Sequence, residues 1–258
     1  MNNKIEALGE KLGISFLGQC VQNFIESMKY TFSGNVAFKS VVAETARIGF
    51  DSLGISLMIV FIAASVIALQ VSNQFLATGA DTYVGGSLAV ALIREIAPGF
   101  AALAVGARAG TAICAQIANM KVTSQVDAMK VLKVNPIGYY FAPRIIAGAT
   151  GVMCVVILAE LVGIIGGMIV AYFSIGLHPN RYFNSVWLML NAKDIYVSIF
   201  KGFIFGGIIS TVCATCGYNT VGGAKNVGES TTKSAILCTI YLLLADLIIG
   251  FLFYASNH

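Results

Sequence analysis

The chain has 258 residues, of which 57% are hydrophobic and 11% charged, with a mean hydropathy of +0.83 and a formal net charge of +4. These values lie well outside those of a soluble domain and exclude a water-soluble globular enzyme. The small positive excess is explained by topology, as the distribution of Lys and Arg indicates, and does not argue for nucleic-acid binding.

In chain order, residues 1–40 come first. Ile5, Leu8, Leu12, Phe16, Val21, Phe24, Ile25 and Met28 recur at roughly helical spacing, while Glu6, Glu10 and Lys11 interrupt what a secretory signal would keep uncharged. The pattern predicts an amphipathic helix and its connection, lying in the membrane interface or packed on the rest of the protein. Five apolar runs follow, at 53–71, 84–120, 137–173, 195–216 and 234–254. A spanning helix needs about 20 mostly apolar residues. The expected fold is therefore an all-α integral membrane protein with about five transmembrane helices, forming one membrane domain over 41–258. The second and third runs exceed a bilayer's thickness and must tilt, kink or protrude.

The connections carry the finer signals. After Met120 a short basic insert, 121–132, places Val122, Val126, Met129 and Leu132 on one apolar stripe. Ser124 and Asp127 approximate a capping box, Lys121, Lys130 and Lys133 face water or headgroups, and Pro136 ends the helix. The stripe needs a surface to cover it, either lipid or a partner protein. A second segment, about 174–193, opens with His178 and Pro179 and contains Trp187, which suits an interfacial or external helix. The third, about 217–230, is Gly-rich. Its run from Gly223 to Ser230 fits G-x-x-x-x-G-x-S, but Glu229 stands where a phosphate-binding loop needs Lys, and the run follows a spanning helix, not a strand. ATP is therefore not expected to bind here. The loop reads as a plain connection or a turn allowing close backbone approach, with Ser230 or Thr231 placed to cap the last helix.

With the amino terminus inside, Lys4, Lys11, Lys29, Lys39, Arg47, Arg108, Lys121, Lys130, Lys133, Arg144, Lys225 and Lys233 fall on the inner side, and only Arg181 and Lys193 on the outer. That asymmetry predicts a cytoplasmic amino terminus and an external carboxyl terminus. Arg94, Glu95, Glu160, Lys201 and Asp246 lie within predicted spans, where charge is costly. At about 1.5 Å per residue, Glu95, Lys201 and Asp246 sit roughly 10–17 Å from the outer helix ends, with Glu160 slightly deeper. They form either a structural ion-pair network or the polar end of a cavity accepting a headgroup. Arg108 approaches the inner interface and reads as a snorkelling side chain. The six cysteines include a lone Cys213-x-x-Cys216 and suit apolar packing better than zinc. Gly106/Gly110, Gly163/Gly167 and Gly202/Gly206 form G-x-x-x-G pairs that mark a packed bundle. No triad or carboxylate pair points to an enzyme. An ATP-independent secondary transporter or channel using the buried charges remains an alternative, although inverted repeats are not evident.

Two segments carry a resemblance: REIAPGFAALAVGARAGTAICAQIANMKVTSQVDAMKVLKVNPIGYYFAPR from Arg94 to Arg144, and GYNTVGGAKNVGESTTKS from Gly217. With these, the chain over about 41–254 resembles the MlaE family, permeases of lipid-trafficking ABC transporters. The resemblance implies a non-catalytic permease in the bacterial inner membrane, paired with a second copy of itself. It implies a cytoplasmic ATPase subunit that binds ATP and Mg, so that no cofactor is expected on this chain. It further implies a STAS-domain protein on the ATPase, a membrane-anchored MCE-domain protein outside, and phospholipid as substrate in the service of outer-membrane lipid asymmetry. Residues 121–132, with Lys121, Val122, Val126, Asp127, Met129, Lys130 and Leu132, match the family's coupling helix. Arg94, Glu95, Lys201, Asp246 and Glu160 then become candidates for shaping or gating the lipid cavity.

Overall fold

The computed structural model describes residues 14–34 and 36–255. Among these, all regular structure is helical. The predicted positions Ile5, Leu8 and Leu12 lie outside the described residues. Helix α1 (Ile14–Phe32) precedes α2 (Phe38–Ile48), which turns at Phe50–Ser52 into α3 (Leu53–Ala77). The second long segment is built from α4 (Val84–Ala91), α5 (Ala97–Val105) and α6 (Thr111–Val122), joined by π-helical turns at Leu92–Ile96 and Gly106–Gly110. Short α7 (Gln125–Val131) leads to α8 (Pro136–Ile175), α9 (Pro179–Met189), α10 (Ala192–Tyr218) and α11 (Ala224–Gly250). Five segments are long and apolar enough to cross a membrane: Phe38–Ala77, Asp81–Val122, Pro136–Ile175, Ala192–Tyr218 and Ala224–Tyr254.

Local chemistry fixes the boundaries. Asn135 caps α8, its side chain accepting from the Ile137 and Gly138 amides at 2.9 and 3.3 Å, and Pro136 takes the first helical position, where no N–H is needed. Pro136 thus begins a helix; it does not end one. At the far end Gly176 adopts φ +69°, the left-handed turn that favours glycine, and its amide bonds the Tyr172 carbonyl at 3.0 Å. His178 caps α9, and Asn191 with Asp194 forms a reciprocal capping box on α10.

The glycine pairs mark where helices touch. A Cβ on Gly206 would meet the Gly148 carbonyl and, at 2.8 Å, the Ala149 Cα, so α8 and α10 cross backbone to backbone. Gly163 and Gly167 accommodate Leu92 and Leu88, while Gly106 and Gly110 face Cys238 and Cys213. Among the described cysteines only Cys154 is exposed; all are free thiols. Enclosure is uneven: 67% of the most apolar window of α10 is buried but only 17% in the last span. Apolar residues such as Ile62 and Val66 on α3, and Leu243 and Leu247 on α11, face outward, as a lipid or a second protein surface requires.

Helix α1 meets the bundle through polar as well as apolar side chains. Cys20 and Ser27 are buried, Asn23 donates to Thr215 at 3.1 Å, and Asn219 donates to Gln19 at 2.6 Å, whereas Val21, Phe24 and Ile25 stay exposed. Phe16 and Met28 pack on the core beside these polar contacts, while Val21, Phe24 and Ile25 point away from the bundle.

Candidate functional site

The charged layer is assembled from three spans. Arg94 and Glu95 sit in the π-helical turn at Leu92–Ile96, a backbone irregularity that often accompanies function. Lys201 lies on the face of α10 turned into the bundle and is fully buried. Its ammonium reaches Glu95 at 2.8 Å, Asp246 on α11 at 2.6 Å, and the Arg94 carbonyl at 2.8 Å. Three donors therefore meet three acceptors, which is what makes a buried lysine tolerable. Glu95 is about half exposed, with a side-chain accessibility of 50%, so the cluster opens on one side. Gly250 keeps that opening clear: a Cβ there would lie 3.3 Å from Glu95 Oε1.

Two members of the predicted set lie elsewhere. The Arg94 guanidinium turns away from Glu95 and pairs with buried Asp194 at 2.8 Å, stacking over Tyr254 at 4.5 Å. Glu160 accepts a short hydrogen bond from Ser198 and makes no ion pair among the described residues. Ser198 precedes Lys201 by one turn of α10, so Glu160 is held beside the ion-pair cluster without joining it. Asp194 escaped the sequence reading, although the Asn191-x-x-Asp194 capping pattern was its signal. One of its oxygens accepts from the Asn191 amide and the other from Arg94, so the end of α10 and the charged layer are fastened by one carboxylate. Arg94, Asn191, Lys193, Asp194 and Tyr254 line a cavity of about 390 Å³ at this end. Lys193 donates to the Phe253 carbonyl at 2.8 Å.

At the opposite, basic end the insert differs in detail from its prediction. Lys121 and Val122 complete α6; a turn through Ser124, at φ +60°, separates them from α7. The Ser124 side chain makes no cap bond, because its left-handed backbone turns it away from the helix it precedes. Asp127 instead pairs with Lys121 at 3.0 Å. The apolar stripe is divided: Val126 is buried and Met129 half-buried, while Leu132 is exposed together with its neighbour Val131. Lys130 lies over the Tyr218 ring at 5.6 Å, seating α7 against the end of α10. The outward apolar surface is therefore centred on Val131 and Leu132, with Val134 beside them.

The Gly-rich segment is shorter than expected. Gly217 and Tyr218 belong to α10, and α11 begins at Ala224 without a side-chain cap. Ser230 bonds Thr220 at 2.8 Å, and Thr231 donates to the Gly228 carbonyl within the helix, so neither caps an end. Arg108 reaches Asp51 at 3.6 Å and Ser52 at 3.2 Å at the edge of the bundle. The cluster at Lys201 carries no nucleophile positioned beside a base; what it offers is compensated charge in an apolar wall, suited to holding or passing a polar group.

Comparison with known proteins bears on this arrangement. Residues 41–252 match the family model described as Permease MlaE. A probable ABC transporter permease protein of Synechocystis is 31% identical over 228 residues, covering 88% of this chain and 87% of that one. One from Rickettsia prowazekii is 33% identical over 214 residues, 83% of each chain. An Arabidopsis thaliana chloroplast protein named TRIGALACTOSYLDIACYLGLYCEROL 1 is 29% identical over 221 residues, 86% of this chain and 63% of its own. The matched region runs from within α2 to just past α11 and takes in the Lys201 cluster, the Asn191–Asp194 end of α10 and the α7 insert, so the chain belongs to the MlaE permease family.

Proposed function

We propose that this multi-pass chain is the permease subunit of an ABC transporter that moves phospholipids between the inner membrane and a periplasmic MCE-protein tunnel, maintaining outer-membrane lipid asymmetry. The family match over residues 41–252 carries the reading. ATP is hydrolysed by a partner ATPase that binds ATP and Mg, not by this chain. The basic end faces the cytoplasm, where Val131 and Leu132 of the coupling segment meet that ATPase and a STAS-domain protein joins through it. The Trp187 end faces the periplasm and the MCE-domain partner.

Two copies of the chain enclose the lipid. The exposed apolar faces of α3 and α11 support this, since they supply walls for acyl chains. Lys201, Glu95 and Asp246 gate the polar end, with Arg94 and Glu160 bracing the layer through Asp194 and Ser198. Lipid as cargo is supported by the Arabidopsis relative, whose name carries a galactolipid. Co-expression with neighbouring proteins, gentle purification and native mass spectrometry with lipid extraction test the proposal. A dimer carrying two ATPase subunits and phospholipid is expected. A lone oligomer holding neither would overturn it in favour of a self-sufficient channel or secondary transporter.

A further inference from the structure

The basic end contains a second cavity, about 270 Å³, remote from the charged layer. Arg144 in its wall and Glu160 are both on α8, sixteen residues or about 24 Å apart along the axis. Tyr30 of α1, Ser40 and Glu44 of α2, and Tyr139, Tyr140 and Arg144 of α8 line it. At roughly 30 Å³ per water, the space is far larger than one bridging water occupies.

Two residues of its wall, Arg144 and Glu44, carry polar atoms of opposite character that lie covered and unmet. Arg144 is 6% exposed; it donates to the Tyr140 carbonyl at 2.9 Å and to Gln116 at 3.3 Å, and pairs with Glu44 at 3.2 Å. Arg144 Nε and Glu44 Oε2 nevertheless have no hydrogen-bond partner among the described residues. One is a charged donor and the other a charged acceptor, and such buried atoms are normally satisfied. Ala37, also in the wall, begins the 11-residue α2 without a side-chain cap, so the electropositive end of that helix borders the cavity. Pro143 lacks the N–H that would bond the Tyr139 carbonyl within α8. Tyr140 already carries the Arg144 guanidinium over its ring at 5.8 Å, which leaves the rings of Tyr30 and Tyr139 to attract a further cation.

We propose that this cavity binds the phosphate–ammonium headgroup of a zwitterionic phospholipid from the leaflet at the basic end. The Arg144–Glu44 pair is neutral, so a lone anion or a lone cation meets its like charge beside its partner. A zwitterion gains at both ends: phosphate at Arg144 and the start of α2, ammonium at Glu44 and the tyrosine rings. The two unpartnered atoms are covered, so the ligand reaches them as side chains of the wall give way; Tyr139, 55% exposed, is the ring with most room to swing. Tyrosine at this depth suits the bilayer interface. The proposal requires only that the chain spans a bilayer, so it stands or falls independently of lipid transport.

The test uses the full chain in phosphatidylglycerol nanodiscs doped with a phosphatidylethanolamine that carries a diazirine high on one acyl chain. Cross-linked peptides are then mapped by mass spectrometry. Labelling is expected at residues 30–44 and 139–147, about tenfold (~1.4 kcal/mol) above that by the matching phosphatidylglycerol probe. Millimolar phosphoethanolamine should compete and inorganic phosphate should not. Glu44→Gln and Tyr139→Leu should each remove the preference; Tyr139 is exposed enough that its variant folds even if Glu44→Gln does not. Equal labelling by both probes, labelling confined to other helices, or a preference unchanged in Tyr139→Leu would overturn the proposal. Phosphoethanolamine binding with no lipid labelling would assign the cavity to a soluble zwitterion and overturn the lipid assignment.

Discussion

Replacing Lys201 by Ala would strand two carboxylates. Lys201 Nζ lies 2.6 Å from Asp246 Oδ1 and 2.8 Å from Glu95 Oε2, so those oxygens are at most 5.4 Å apart. Without the ammonium between them they repel by about 3 kcal/mol at an effective dielectric near 20. Screening of half-exposed Glu95 reduces this to roughly 1–2 kcal/mol. Truncating a fully buried side chain adds a cavity cost of about 1–2 kcal/mol, giving a net loss of about 2–4 kcal/mol for Lys201→Ala. Lys201→Met keeps most of the volume and isolates the electrostatic part. Adding Asp246→Asn to Lys201→Met should restore at least about half of the loss, because the two side chains share one interaction. Unfolding in detergent measures these terms. ATP-driven lipid movement in reconstituted complexes should fall by about tenfold or more in Lys201→Ala while the complex still assembles. Normal transport by Lys201→Ala would refute the gating role, and strictly additive effects of Lys201→Met and Asp246→Asn would refute the electrostatic account.

Neighbouring glycines on α10 should behave oppositely. Gly206→Ala drives a methyl into the α8 backbone and should cost about 3 kcal/mol or more in unfolding experiments, whereas Gly207, where an added methyl would meet nothing within 4 Å, should accept Ala with a gain of up to about 1 kcal/mol. Val131→Asp and Leu132→Asp should abolish ATP-dependent transport with little change in the stability of the isolated chain, while Val126→Asp, which buries a charge, should destabilise it by about 3 kcal/mol or more; equal stability loss at Val126 and Leu132 would contradict the divided stripe. Burial pushes the Cys20 thiol up to about 11. Only about one molecule in a thousand is then thiolate at pH 8, so maleimide labelling of Cys20 in a variant lacking the other cysteines should be slow and should rise toward pH 11. Fast labelling at pH 8 would mean that α1 does not hold Cys20 against the bundle.

The sequence revealed most where a regular period or a compositional cost was involved. Apolar runs of spanning length located all five membrane segments, and the observed helices extend beyond the runs at their ends because polar residues can continue a helix into the headgroup region. The depth count brought Glu95, Lys201 and Asp246 to one level because helix rise is constant. It could not show that Glu160 bonds Ser198 and stays out of the cluster, since a count from a helix end carries no information on which faces meet. Capping was harder to read. The Asn191–Asp194 pattern went unread although its spacing signals a cap, and Ser124 resembled a cap while its own backbone sits in a left-handed turn.

Composition and periodicity alone therefore determined that this chain is a helical membrane protein with charge held inside it, because transfer free energy and helix geometry act residue by residue. Only the tertiary structure decided that Lys201 belongs to Glu95 and Asp246, that Arg94 belongs to Asp194, and that Glu44 and Arg144 face a cavity. Pairing depends on the crossing and axial offset of helices, set by close contacts such as Gly148 against Gly206, between residues far apart in the chain.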